Sequence, residues 1–265
     1  MAEGLSALAE HVSQLHSDAE LLYEAGRVRG GAVVDSFAVE QAAAFLILLD
    51  LARVGWKVPQ ELMLGQIKRF YSHRQRGMYV EAYEGRPADL AEIEKFLHHF
   101  RRSHFLDGPN DVDWIFRNEI DAQRESALYV DFIASEDGDY WESPADRSDY
   151  RHVPNIVGLV ESMNKIGLCT TQSLNASADT WAEIDIADRA LHWQTVLQAN
   201  QKIISHLEKS SSATESDARR VTSLWIHPLN ALDFSPLDVK RAALDAQRAR
   251  VAAEWSGNED PPDLY

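Results

Sequence analysis

Residues 33–54 constrain the fold more than any other stretch of this chain. They are apolar nearly all round a helix, with Ala42 to Leu49 uninterrupted until Asp50. A helix without a polar face must be enclosed by others, so it predicts the centre of a helical core. Just before it, Leu5, Leu8, Val12, Leu15, Ala19 and Leu22 step by three and four residues, which places them on one helix face. That stripe suits the protein's own core or a partner helix equally. Arg27 to Gly31, with adjacent Gly30 and Gly31, is expected to end the first helix, and Gly55 the second.

Further helices are expected from Pro59 to about Tyr83, Ala88 to about Phe105, and Asn110 or Asp111 to about Phe132. Later ones are expected over Val153–Ile166, about Ala178–Glu208, and Ser235 to about Trp255. Glu136 to Pro144 and Lys209 to Ser216 read as loops. Strand signals are confined to Leu128–Phe132 and Leu168–Thr171, neither with a hairpin partner. The expected fold is all-α: an antiparallel helical bundle over residues 1–150, a helical C-terminal extension over 151–256, and a disordered tail over 257–265.

With 265 residues the chain can bury a core without covalent staples. Its one cysteine, Cys169, excludes an intramolecular disulfide and a cysteine-based zinc cage, and reads as a small buried hydrophobe. The longest apolar run is far shorter than the roughly 20 residues of a membrane span, and no signal peptide opens the chain, so a cytoplasmic protein is expected. The net charge of −16, spread evenly, opposes general binding to nucleic acid or anionic membrane. Any basic site must therefore be local.

Two basic clusters stand out of that background: Lys68–Arg76, and Lys95–His104 with His98, His99, Arg101, Arg102 and His104. On a helix His98, Arg101 and Arg102 adjoin, and Arg with His can grip a phosphate and move a proton. A solvated basic face is the plainer reading of both. No Gly-rich phosphate loop, His-Glu-x-x-His or Gly-x-Ser-x-Gly motif occurs. Glu94 with His98 makes two ligands and no metal site, and Asp137, Asp139 and Glu142 match no calcium loop. No metal and no cofactor is assigned. Tyr140, Trp141 and Pro144 suit packing at the end of the bundle better than base stacking.

Three pieces of residues 17–150 resemble the AbiV family of abortive-infection proteins, in the HEPN superfamily of helical, often dimeric domains. Asp18–Gly26 and Ser36–Phe45 are similar to its first two helices, the second with an Ala-x-Glu-Glu-x-x-Lys core. Here Glu40 keeps the first acid, Gln41 replaces the second, and Ala44 stands at the lysine. His99-Phe-Arg-Arg102 is similar to a His-x-x-Lys element. Most specific is Tyr129-Val130-Asp131 followed by Trp141-Glu-Ser-Pro144, similar to a Tyr-Val-Asp segment and a downstream Trp-x-x-Pro. The resemblance implies anti-phage defence that arrests growth or translation, acting through a phage or host protein partner or RNA, and a homodimer. It carries Glu40, Tyr129, Asp131, Trp141, His98 and His99 as binding candidates.

The resemblance also implies an alternative, a metal-independent ribonuclease using an Arg and a His four to six residues apart. Arg147–His152 and Arg220–His227 both fit, a number that chance alone supplies. Arg147–His152 is preferred because Ser148 follows the arginine and the Trp-x-x-Pro piece lies just before it. Arg101, Arg102 and His104 are the other catalytic candidates.

Overall fold

The computed structural model describes residues 1–57, 60–85, 87–95, 128–133, 138–143, 153–188, 190–207 and 212–232. The described residues are mostly helical, as the apolar periodicities predict: a packed helical bundle joined by C-terminal helices. The helices are α1 (Ala2–Glu24), α2 (Val28–Val54), α3 (Gln60–Tyr71), α4 (His73–Gly85), α5 (Asn155–Lys165), α6 (Thr171–Ala182), α7 (Trp193–Ser205) and α8 (Glu215–Leu224). Helix α2 is the axis, touching α1, α3, α4, α5 and α6. It is long and apolar enough to cross a membrane, yet most of its apolar stretch is buried inside the bundle. Its enclosed face also carries Asp35, Glu40, Asp50 and Arg53. It is a core helix.

The stripe on α1 turns inward. Leu5, Ala9, Val12 and Ala19 are buried, and Leu8 and Leu15 pack on the same cluster, against α2 and α5. Of the two roles open to that stripe, the protein's own core takes it. Helix α1 ends earlier than the glycine pair suggests. Gly26, at φ 72, closes it, with Arg27 N–H donating to Leu22 O and Gly26 N–H to Tyr23 O. This is a Schellman end. Helix α2 therefore starts at Val28, and Gly30 and Gly31 lie inside it.

Three other boundaries differ from the sequence reading. The expected helix to Tyr83 divides at Ser72, whose hydroxyl accepts from the Gln75 N–H and starts α4. The expected helix from Ala178 to Glu208 divides into α6 and α7. Between them Asp185 and Asp188 each accept from a backbone N–H two residues on, Ala187 and Ala190, at 2.9 Å. Such turns compete with helix continuation. Helix α8, absent from the sequence reading, begins where the polar link was placed. Thr214 and Asp217 form a reciprocal capping box.

Asp131–Ile133 (β1) and Tyr140–Glu142 (β2) form an antiparallel pair with Phe132 opposite Trp141. The strand signal near Leu128–Phe132 thus has a partner after all, inside the stretch read as loop. The expected strand at Leu168–Thr171 is a turn over residues 168–170 that leads into α6, with Thr170 as its cap. The expected helix at Ala88 is seen as a helical stretch over residues 90–95. The rest of that helix, most of the Asn110–Phe132 helix, the Ser235–Trp255 helix and the 257–265 tail lie outside the described residues.

Beyond α8, residues 225–230 and Leu232 run back across the bundle and are buried. The Asp50 carboxylate accepts from the Leu229 N–H (2.9 Å) and the Tyr79 hydroxyl (3.3 Å). Arg53 donates to Ile226 O (2.8 Å), and Arg69 to Leu229 O (3.2 Å) and Leu232 O (2.7 Å). Gln66 and Asn230 bond each other reciprocally. These bonds tie α2 and α3 to the C-terminal segment, and Tyr79 on α4 to the same Asp50.

Candidate functional site

Seven site candidates from the sequence, His98, His99, Arg101, Arg102, His104, Arg147 and His152, lie outside the described residues. Glu40, Tyr129 and Trp141 are described, as is the backbone of Asp131. They fall in two places.

Glu40 is buried on α2. Its Oε2 lies 2.6 Å from Nδ1 of His73 and 3.3 Å from Nη1 of Arg76, both on α4. The Arg76 Nε–H also donates to Phe70 O, which fixes the guanidinium across the α3–α4 break. The family pattern expects a lysine one turn along α2, where this chain has Ala44. That position is enclosed in the core, where an ammonium would be unpaired. The positive charge comes instead from the neighbouring helix, out of the Lys68–Arg76 cluster. That cluster is not a uniform solvated face. Arg69 reaches inward to two carbonyls, and His73 and Arg76 clamp an acid, while the His73 ring stays half exposed. The arrangement neutralises a buried carboxylate and orients an imidazole at the surface.

The second place is the ribbon β1–β2. Tyr129, Val130, Phe132, Tyr140 and Trp141 are all exposed, Trp141 at 69%. The Phe132 and Trp141 rings pair at 5.2 Å with a 60° tilt. Gly138, at φ 119, takes a backbone conformation on the approach to β2 that other residues rarely adopt. Arg29 on α2 donates to Leu128 O at 3.2 Å, which pins the ribbon's root beside the start of that helix. Arg29 and Glu40 are eleven residues apart, three turns on one side of α2, separated by about 16 Å. The structure therefore puts Tyr129 at the root of the ribbon that carries Trp141 and leaves Glu40 at a distance. Trp141 does not plug the bundle; its indole faces solvent.

The spacing match Arg220–His227 has no pairing in space. Arg220 donates to Gly158 O and Ser162 Oγ on α5. His227 is buried, with Nε2 bonded to Leu191 O at 2.6 Å. Burial holds its imidazole below the ordinary value. Cys169 is a buried hydrophobe as expected, its thiol pushed up to about 12 by burial and then by Glu10. Among the described residues, no three His, Cys, Asp or Glu side chains gather as metal ligands would.

No curated protein and no solved structure matches the chain. The family model for AbiV, a HEPN domain, matches residues 1–165, which hold α1 to α5, the Glu40 clamp and the aromatic ribbon. The chain belongs to the AbiV family of HEPN domains, the abortive-infection class of anti-phage defence proteins.

Proposed function

We propose that this protein arrests growth or translation in the infected cell by seating a phage or host protein partner on the aromatic ribbon. The supporting observation is the exposure of Phe132, Tyr140 and Trp141 on one short antiparallel pair, with exposed Tyr129 two residues before it. Clustered exposed aromatics of this kind mark protein contacts, because large rigid rings contribute much contact area at low entropic cost. The net charge of −16 favours a partner with a basic rim over bare RNA. Action in the cytoplasm and as a homodimer belongs to the same reading. Leu64, Ile67 and Tyr71, an exposed stripe along α3, would suit a second copy.

Trp141→Ala and Phe132→Ala tested together with the parent protein decide the matter. Both should keep the helical spectrum, lose phage protection, and lose the protein captured from infected cells. Protection retained in the Trp141→Ala, Phe132→Ala double variant would overturn the reading. The Arg/His ribonuclease is measured in the same preparations with total RNA and EDTA. Cleavage leaving 2′,3′-cyclic phosphate and abolished by His152→Ala would replace the partner reading.

A further inference from the structure

The acids around the aromatic ribbon narrow the kind of partner it can seat, an inference that rests on the reading proposed above. Phe132 and Trp141 stand opposite each other in register and share one face of the ribbon, while Tyr140 belongs to the other. All three are exposed, so aromatic surface is open on both faces. A two-stranded ribbon is marginal by itself and gains stability when a face is covered. Residues 128–143 carry five acids, Asp131, Glu136, Asp137, Asp139 and Glu142, and no lysine, arginine or histidine. Asp139 is exposed next to Tyr140, and Asp131 and Glu142 occupy facing register positions.

Open rings set among carboxylates select strongly between possible occupants. A single-stranded nucleic acid could stack its bases on the rings, but its phosphates would meet acids where such sites place lysine and arginine. A purely apolar segment would cover the rings and strip water from the acids with nothing in return. A cationic side chain satisfies both, since ring faces and carboxylates attract it alike. Arginine fits better than lysine. Its guanidinium is planar and weakly hydrated, so it lies flat on an indole while its edge still donates to a carboxylate. Strands of three residues are about 10 Å long, which suits a short segment rather than a broad folded surface. We propose that the ribbon seats a short arginine-bearing segment of the partner, a guanidinium stacked on Trp141 with its edge turned to the ribbon's acids.

The test uses the full chain, ¹⁵N-labelled, titrated with a short peptide alternating Arg and Ser and with matching Lys–Ser and Glu–Ser peptides. The chain has seven tryptophans, and the Trp141 indole signal is assigned by its loss in Trp141→Phe. The Arg–Ser peptide should move that signal, and its affinity should fall as salt is raised. The Lys–Ser peptide should bind about three-fold more weakly or worse, and the Glu–Ser peptide should not bind. By calorimetry, Trp141→Ala should weaken the Arg–Ser peptide about five-fold or more, and Asp139→Asn about two-fold. Both positions are exposed, so the helical spectrum should not change. The inference is overturned if the Trp141 signal is unmoved at millimolar Arg–Ser peptide, if the Glu–Ser peptide or oligouridylate moves it as far, or if Trp141→Ala binds as tightly as the parent. Loss of protection in the Trp141→Ala, Phe132→Ala variant without peptide binding to the parent would strike this inference alone. Protection retained in that variant, with peptide binding to the parent intact, would strike the partner reading and leave an arginine-binding surface without that role.

Discussion

Arg53 and Asp50 are both wholly enclosed, with Nε of one 2.9 Å from Oδ1 of the other. The guanidinium also lies between two indoles, 4.9 Å from the Trp181 ring and 4.7 Å from Trp225. Those ring faces stand in for hydrogen-bond partners that its Nη1 lacks. Burial raises the Asp50 pKa, and Arg53 works against that rise, followed by bonds from Leu229 and Tyr79. Arg53→Met removes the counter-charge while keeping most of the volume. It should cost about 3–5 kcal/mol at neutral pH, because the carboxylate stays buried and uncompensated. A carboxyl whose folded pKa is raised favours folding below its unfolded value, and that contribution is lost as pH rises through the folded value. The deficit of Arg53→Met against the parent should therefore be larger at pH 8 than at pH 5. Asp50→Asn with Arg53→Met should recover part of it and flatten the pH dependence. Urea titrations at both pH values would show this, and a deficit that grew with acidity would refute it.

Two adjacent glycines decide how α1 meets α2. A Cβ on Gly31 would lie 2.8 Å from the Tyr23 ring, whereas one on Gly30 would make ordinary contact with Leu22 at 3.6 Å. Both sit in the first turn of a helix, where Ala is otherwise favoured. Gly30→Ala should thus be neutral or stabilising by up to about 1 kcal/mol. Gly31→Ala should destabilise by about 1–3 kcal/mol, because the turn cannot move without moving the ring. Thermal melts should show a lowered midpoint for Gly31→Ala and an unchanged or raised one for Gly30→Ala. The glycines also show what was legible in the sequence. Apolar spacing located α1, α2 and α5 because those faces point into the core. The pair Gly30–Gly31 looked like a helix end, yet it serves close packing, and only the φ of Gly26 marks the real one. The breaks at Ser72 and at Asp185–His192 depend on side chains bonding to nearby backbone, which periodicity does not register. In the same way, the acid at Glu40 was visible, but its partners His73 and Arg76 come from another helix. No spacing along α2 could reveal them.

The family match ends at residue 165, but the packing of the molecule does not. Asp50, Arg53, Gln66 and Arg69, all within the matched region, take partners from residues 226–232. Helix α8 packs on α5, where Ser162 donates to the Asp217 carboxylate at 2.9 Å, and Trp181 on α6 covers Arg53. Removing residues 166–265 would expose the apolar end of α2 and leave Asp50 and Arg53 without most of their neighbours. Buried ions stripped of partners cost several kcal/mol each, comparable to the roughly 5–15 kcal/mol that holds a typical domain together. A chain ending at residue 165 should therefore melt without a cooperative transition, or aggregate, while the full chain melts sharply. The ribbon lies apart from this packed core. It contacts α2 through Arg29 and the Leu128 carbonyl, far along the helix from Asp50. A partner docked there should raise the melting temperature of the full chain and leave the truncated one unfolded, since binding stabilises only what is already folded. A truncated chain that melted cooperatively would show instead that residues 1–165 fold alone and that the C-terminal segment is dispensable to the core.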